Sequence, residues 1–250
     1  MHAGRAFAAL AALVALATAA AATPPDIILQ ARYTEPTTRY DHGILGDNVE
    51  WGALELTVDT CTGCQGGPHI RTLTIRLPEN RVFEDTAPRL IELPDRAGPV
   101  VMVVETDLEK GARLALYDES GLMAATPFIG RTNRWLAPLG VADLDGDGQV
   151  EIAYVDRPHL AKIIRIWRYR EGGELVPVAE LPGYTNHRIG EPEISGGIRD
   201  CGQGPEMIVA DAGWQNLFAV TFSGIVPIPR RLGPIRGEGS FARAMACKHP

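Results

Sequence analysis

Beyond its N-terminal segment, this chain arranges its apolar residues in short runs, and none carries the spacing of a long surface helix. Val100–Val104, Val150–Val155 and Met207–Ala210 are β-branched or aromatic-rich runs bounded by Gly, Pro and Asp. Such runs read as strands. Each leads through a turn into another strand-like segment: Ala112–Tyr117, Ile163–Tyr169 and Asn216–Phe222, with His69–Leu77 in the same position earlier. A further short segment follows each of these, at Arg81–Glu84, Leu122–Phe128, Leu175–Leu181 and Ile225–Pro229. The pattern predicts an all-β protein whose strands pair antiparallel, because no helix is needed to connect them.

The segments repeat. Ile91–Glu105 aligns without gaps on the stretch ending at Asp156, setting Glu92 on Asp143, Val101 on Ile152 and Glu105 on Asp156. Gly197–Asp211 sets Asp200 on Asp145, Glu206 on Glu151 and Asp211 on Asp156, and Gly46–Asp59 is a weaker copy. Self-similarity on this scale points to arrays or propellers. Four units are expected, at about 38–85, 86–131, 132–184 and 185–234, each a four-stranded blade of a β-propeller. The leftover segments 26–33 and 240–247 are expected to pair as a partial fifth blade. Residues 23–250 then form a single domain. A two-domain sandwich is the structural alternative.

The best-preserved unit contains Asp143-Leu144-Asp145-Gly146-Asp147-Gly148-Gln149-Val150-Glu151. Carboxylates at alternate positions on a glycine-bent loop suit Ca2+, a hard cation that takes oxygen ligands. Asp143, Asp145, Asp147 and Glu151 would supply side-chain oxygens, and Gln149 its carbonyl. An EF-hand would need a Glu at the twelfth loop position and flanking helices. That position is Tyr154, and a strand follows. The loop and its strand resemble the FG-GAP/VCBS repeats of integrin α-subunit propellers and of many secreted bacterial proteins. The likeness is specific in the third unit, since Pro94 and Arg96 replace two of the aspartates in the second, and Cys201 and Gly202 interrupt the fourth. It implies one calcium site with a structural role.

Charge and cysteines narrow the setting. The formal net charge of −7 and the absence of a Lys/Arg block exclude nucleic acid and anionic membranes as expected partners. Arg5, the apolar run Phe7–Ala22 and the small residues Ala20–Ala22 read as a signal peptide over 1–22. A periplasmic or secreted protein without membrane insertion is expected. In an oxidising compartment Cys61, Cys64, Cys201 and Cys247 should form disulfides. Three pairings exist on paper, and Cys61–Cys64 with Cys201–Cys247 is preferred because the first pair is local. Cys61-Thr62-Gly63-Cys64 lacks the His of a haem site and the following helix of a redox motif, and only His69 lies near as a zinc ligand.

A second constellation lies just before the first strands of the units. Arg39 and His42 precede the first, Arg89 the second, Asn133-Arg134-Trp135 the third and Asn186-His187-Arg188 the fourth. In a propeller such groups converge near the central channel, where they would bind a small polar or anionic ligand. The same residues also suit turns and seals between blades. His159 reads as a surface turn residue. No Gly-x-Ser-x-Gly elbow, His-Glu-x-x-His or phosphate-binding glycine loop is present. The expectation is an exported, calcium-binding, non-enzymatic propeller, monomeric, that binds an unknown protein or a small ligand. A hydrolase or lyase with a site in the central funnel and a purely structural or adhesion module are the alternatives.

Overall fold

The computed structural model describes residues 25–237 and 239–250. The expected signal peptide, 1–22, lies outside the described residues. Among the described residues the fold is all-β apart from one short helix, and the strands pair antiparallel in three sheets.

The first sheet carries two meanders. In one, β2 (Glu50–Asp59) lies between β1 (Ile27–Thr37) and β3 (Ile70–Arg76). Short β4 (Arg81–Phe83) bridges β2 to the next meander, β5 (Arg89–Ile91), β6 (Val100–Asp107), β7 (Gly111–Asp118) and β8 (Gly121–Ala125). The second sheet is an uninterrupted meander of β9 (Leu136–Ala142), β10 (Val150–Asp156), β11 (Ile163–Arg170) and β12 (Glu174–Pro182). In the third sheet β13 (Tyr184–Thr185) and β14 (Gly197–Asp200) both pair with β15 (Pro205–Asp211), followed by β16 (Asn216–Phe222) and β17 (Pro227–Pro234). Among the described residues no sheet closes on itself.

Burial explains this order. β6, whose sequence is almost continuously apolar, is buried at every position because its sheet packs on both faces. β12 and β17 pair on one side only and hold Pro177, Pro182, Pro227, Pro229 and Pro234. Proline cannot donate to a ladder, so it marks edge strands and blunts them against further pairing.

The core is layered between the meanders. Leu54, Leu56 and Phe83 pack against Val101, Val103 and Tyr117. Met102, Leu114 and Leu116 pack against Trp135, Ile152 and Tyr154. Val155, Ile164 and Ile166 pack against Met207, Val209 and Val220. Ile208 and Ala219 are covered by the helix α1 (Gly239–Met245) through Phe241 and Ala244. Loops of the first and last meanders also meet, since the Gly190 N–H donates to the Ile44 carbonyl at 3.0 Å.

Two expectations about the chain ends are corrected here. Residues 240–247 do not form a closing strand, because they lie largely in α1. Ala242, Ala244 and Arg243 favour helix, and Phe241, Ala244 and Met245 fall on one helical face that packs on the last sheet. Segment 26–33 is therefore not paired with the C-terminus. It belongs to β1, which runs along β2 from Ile27–Asp59 to Thr37–Glu50. The first meander thus begins before residue 38, and the expected fourth strand at 81–84 is β4, a bridge between meanders.

Cys61 bonds Cys64 in the β2–β3 connection, and Cys201 bonds Cys247. The second disulfide ties the chain beyond α1 to the β14–β15 turn, which keeps the helix seated on its sheet.

Each meander also carries a carboxylate facing an arginine directly across an antiparallel pair. The pairs are Glu55–Arg32, Glu105–Arg113, Glu151–Arg168 and Glu206–Arg199. Glu105 has no solvent exposure and is held by Arg113 at 2.7 Å, Arg81 at 3.0 Å and the Tyr117 hydroxyl at 3.0 Å. Arg32 is exposed. Removing one partner of a buried pair strands the other charge, whereas exposed pairs contribute little. Arg113→Ala is expected to lower unfolding free energy by about 2–4 kcal/mol, and Arg32→Ala by less than about 1 kcal/mol. Urea unfolding of the two variants measures both, and equal losses would refute the distinction.

Candidate functional site: an acidic loop and a histidine-lined pocket

The β9–β10 turn is built around Asp143. Its carboxylate accepts backbone hydrogen bonds from Gly146 at 2.7 Å, Asp147 at 3.1 Å and Gly148 at 2.9 Å. Gly146 and Gly148 have φ of +78° and +87°, the left-handed region that lets the loop curl around one side chain. The Leu144 N–H donates to Glu151 at 2.9 Å, drawing that buried carboxylate under the loop. Asp143, Asp145 and Glu151 place carboxylate oxygens within 4.8 Å of one another, and together they could hold a metal ion. Asp147 lies outside this trio. It accepts from the backbone N–H and side-chain amide of Gln149, whose backbone bond holds the Asp147 carboxyl below its ordinary range.

Arg168 was not anticipated. Its guanidinium reaches Asp145 at 2.6 Å, Glu151 at 2.6 Å and Asp147 at 3.1 Å. The β10–β11 register sets it directly opposite Glu151. Counting back across the Asp156–Ile163 turn would have found it. Desolvation pushes the Glu151 carboxyl up, against the Leu144 N–H and Arg168, which pull it down.

The second site is a pocket of about 150 Å³ lined by His42, Ile44, Asn133, Arg134, Trp135, Arg157, His159, Leu160 and Ile189. Trp135 forms its floor, 2% exposed, with its indole N–H donated to the Glu84 carbonyl at 2.8 Å. The Asn133 N–H donates to the Tyr40 hydroxyl at 2.8 Å, tying the segment before β9 to the one before β2. His42 Nδ1 lies 2.5 Å from Glu84 Oε1, and Glu84 Oε2 accepts from Thr106 at 2.6 Å. Burial pushes the Glu84 carboxyl up, and the bonds to His42 and Thr106 oppose it.

His159 and His187 form a second pair. His159 Nε2 lies 2.9 Å from His187 Nδ1, and His187 Nε2 lies 2.7 Å from the Glu191 carbonyl. Trp135 packs against both rings. Desolvation, with repulsion from His187 and His42, pushes His159 down to about 4, and desolvation lowers His187 as well.

The expected convergence is therefore partial. His42, Asn133, Arg134 and Trp135 share the pocket, with His187 directly behind His159. Arg39 instead donates to the Arg81 carbonyl and pairs with Glu79. Arg89 pairs with Asp85 at 2.6 Å. Asn186 is buried and donates to the Ala137 and Pro138 carbonyls. Arg188 lies over the Trp214 ring at 4.2 Å. These four fix backbone and rings rather than line the pocket. His159, read from sequence as a surface turn residue, stands in it, beside Arg157, whose guanidinium is held by Asp156.

No protein-family model matches this chain, and no curated protein matches it. Among the described residues, no helix is long and apolar enough to cross a membrane.

One further carboxyl reports on this region. Glu50 is 3% exposed, and desolvation together with the charges of Glu84, Asp47 and Asp85 pushes it from 4.5 up to about 9. The folded protein thus keeps a proton there that the unfolded chain releases. This contribution to stability is full below the unfolded value and is lost as pH rises toward the folded one. Glu50→Gln should match the wild type near pH 5 and exceed it near pH 8, the gap growing by at most about 1.4 kcal/mol per pH unit. Chemical denaturation across this range tests it, and a gap that stays flat would refute it.

Proposed function

We propose that this protein is an exported, calcium-stabilised β-propeller-like module that binds a small polar or anionic ligand in the His42–Trp135–His159 pocket. The observation that carries the reading is that His42, Asn133, Arg134 and Trp135, from separate stretches of the chain, line one pocket. Four successive antiparallel meanders, with cores between neighbours, support a blade-like arrangement related to FG-GAP/VCBS repeats. Two disulfides support an oxidising compartment.

Calcium fits the acidic loop by the chemistry of its donors. Asp143, Asp145 and Glu151 supply hard oxygens at close range on a loop of the right length. When bound, the ion would neutralise carboxylates that otherwise repel one another. Arg168 supplies part of that neutralisation already, so calcium and the guanidinium compete for Asp145 and Glu151. Calcium is expected to raise the melting temperature of the mature chain. Asp145→Ala should abolish the rise, and Arg168→Gln should lower the calcium-free melting temperature while enlarging the rise. Thermal unfolding with calcium and with chelator decides this, and a wild type indifferent to calcium refutes the site.

The pocket is tested by thermal shift against a panel of small carboxylates and phosphates. A bound ligand stabilises the fold by mass action. At least one member should raise the melting temperature, and Arg134→Ala should reduce that rise. A panel without effect would remove the anion-binding reading.

A second reading, a hydrolase or lyase, is favoured by one observation: His42 hydrogen-bonds through Nδ1 to the buried Glu84. A carboxylate that orients an imidazole is the arrangement general bases use. Turnover of any ester or glycoside that falls by two orders of magnitude or more in His42→Gln would support it.

A further inference from the structure

The hydrogen-bond chain behind the pocket fixes which nitrogens carry hydrogen. A backbone carbonyl only accepts, so His187 Nε2, 2.7 Å from the Glu191 carbonyl, must bear the proton of that bond. In a neutral ring His187 Nδ1 is then the acceptor. His159 Nε2, 2.9 Å away, must be the donor. His159 is left with Nδ1 as a lone pair, and among the described residues this atom has no hydrogen-bond partner.

A proton therefore has one place to go. On His187 Nδ1 it would set two N–H groups against each other and break the relay. On His159 Nδ1 it leaves both existing bonds intact and makes the ring a cation whose Nε2–H still donates to His187. What opposes it is the setting: partial burial, the neighbouring rings of His187 and His42, and Lys162, against which the backbone of His187 alone favours the charged ring. The other charged groups nearby are already committed. Lys162 donates to the Ala212 carbonyl, Arg157 is held by Asp156, and Glu84 is bonded to His42. Arg134 donates to the Asn133 carbonyl and forms no ion pair among the described residues. The pocket thus presents an unpaired guanidinium and a ring that a negative charge would allow to protonate. Ile44, Leu160 and Ile189 supply apolar walls, and a cavity of about 150 Å³ suits a body the size of benzene.

We propose that the ligand is a small monoanion with a compact apolar body, and that it binds together with one proton, which goes to Nδ1 of His159. This rests on the pocket reading above. The anion offsets the charge that the empty pocket resists, so the site is selective for anions and tightens as pH falls through the weakly acidic range.

Benzoate is a suitable probe, since it joins a carboxylate to a ring of the right size. Calorimetric titration of the full mature chain with calcium present, at about pH 5 and about pH 7.5 in buffers of different ionisation heat, reads both affinity and proton uptake. Binding should be roughly tenfold tighter at the lower pH, a difference of about 1.4 kcal/mol, with uptake of up to one proton. His159→Gln and His159→Asn should still bind at the higher pH, without uptake and without pH dependence. His69→Gln, in the β2–β3 connection away from the pocket, should retain both. Equal binding at the two pH values would overturn the proton-coupled inference while leaving the pocket intact, and so would uptake that survives in both His159 variants. Absence of benzoate binding at either pH would overturn the ligand class itself. Retained binding of other small anions would then show that the pocket reading stands without it.

Discussion

Trp135 sits where separate parts of the chain meet. Its indole N–H needs an acceptor once buried, and it finds the Glu84 carbonyl at the end of the first meander. Its ring packs against His187 from the β13–β14 connection and His159 from the β10–β11 turn. The Asn133–Tyr40 bond lies just before it in the chain. One side chain thereby locks together loops that otherwise only approach each other. The separations of His42, His159 and His187 depend on it, and so does every chemical property suggested for the pocket.

Buried charge is handled in two ways in this molecule. On the sheets, carboxylates such as Glu105 and Glu206 each receive two arginines, at least one of them directly across the ladder. That arrangement satisfies the charge and fixes strand register, since a one-residue slip would separate the partners. Near the pocket, Glu84 meets an imidazole and a hydroxyl, and Glu50 sits close to other acids. Burial pushes both carboxyls up, against the bonds to His42 and Thr106 in Glu84 and reinforced by the neighbouring acids in Glu50. Perturbed groups that lie beside a cavity, without a complete set of ion-pair partners, are where titration and ligand binding can be coupled. The contrast separates the structural network from the candidate site better than any single pKa direction does.

Much of the architecture was legible in the sequence because antiparallel meanders are local. The alternation of apolar runs and Gly, Pro or Asp turns located β10, β11 and β12 almost to the residue, and the acidic loop was visible as a motif. The two chain ends were not legible. Segment 240–247 is apolar enough for a strand, but its alanines and the exposed face of the last sheet favour α1. The site was half legible. His42, Asn133, Arg134 and Trp135 could be found by their place before the strands. His159, Arg157 and Glu84 come together only through tertiary packing, which no spacing rule encodes. Arg168 was hidden for another reason: it required the hairpin register, not composition.

Arg168 also bears on why the acidic loop would still need a cation. Asp145, Asp147 and Glu151 all contact its guanidinium, yet Asp143 does not and is served by backbone N–H groups alone. One positive charge facing several carboxylates leaves an excess of negative charge on a turn that must curl tightly. Arg168 is also required by the ladder, where it pairs across from Glu151 as the other arginines pair with their own carboxylates. Its position is thus explained without any metal, and it does not by itself cancel the repulsion within the loop. The proposed calcium ion has a physical task left to perform there, and a resident guanidinium would temper its affinity. Such a site would act as a stabilising clamp on one turn, not as a sensor tuned to respond to small changes in calcium.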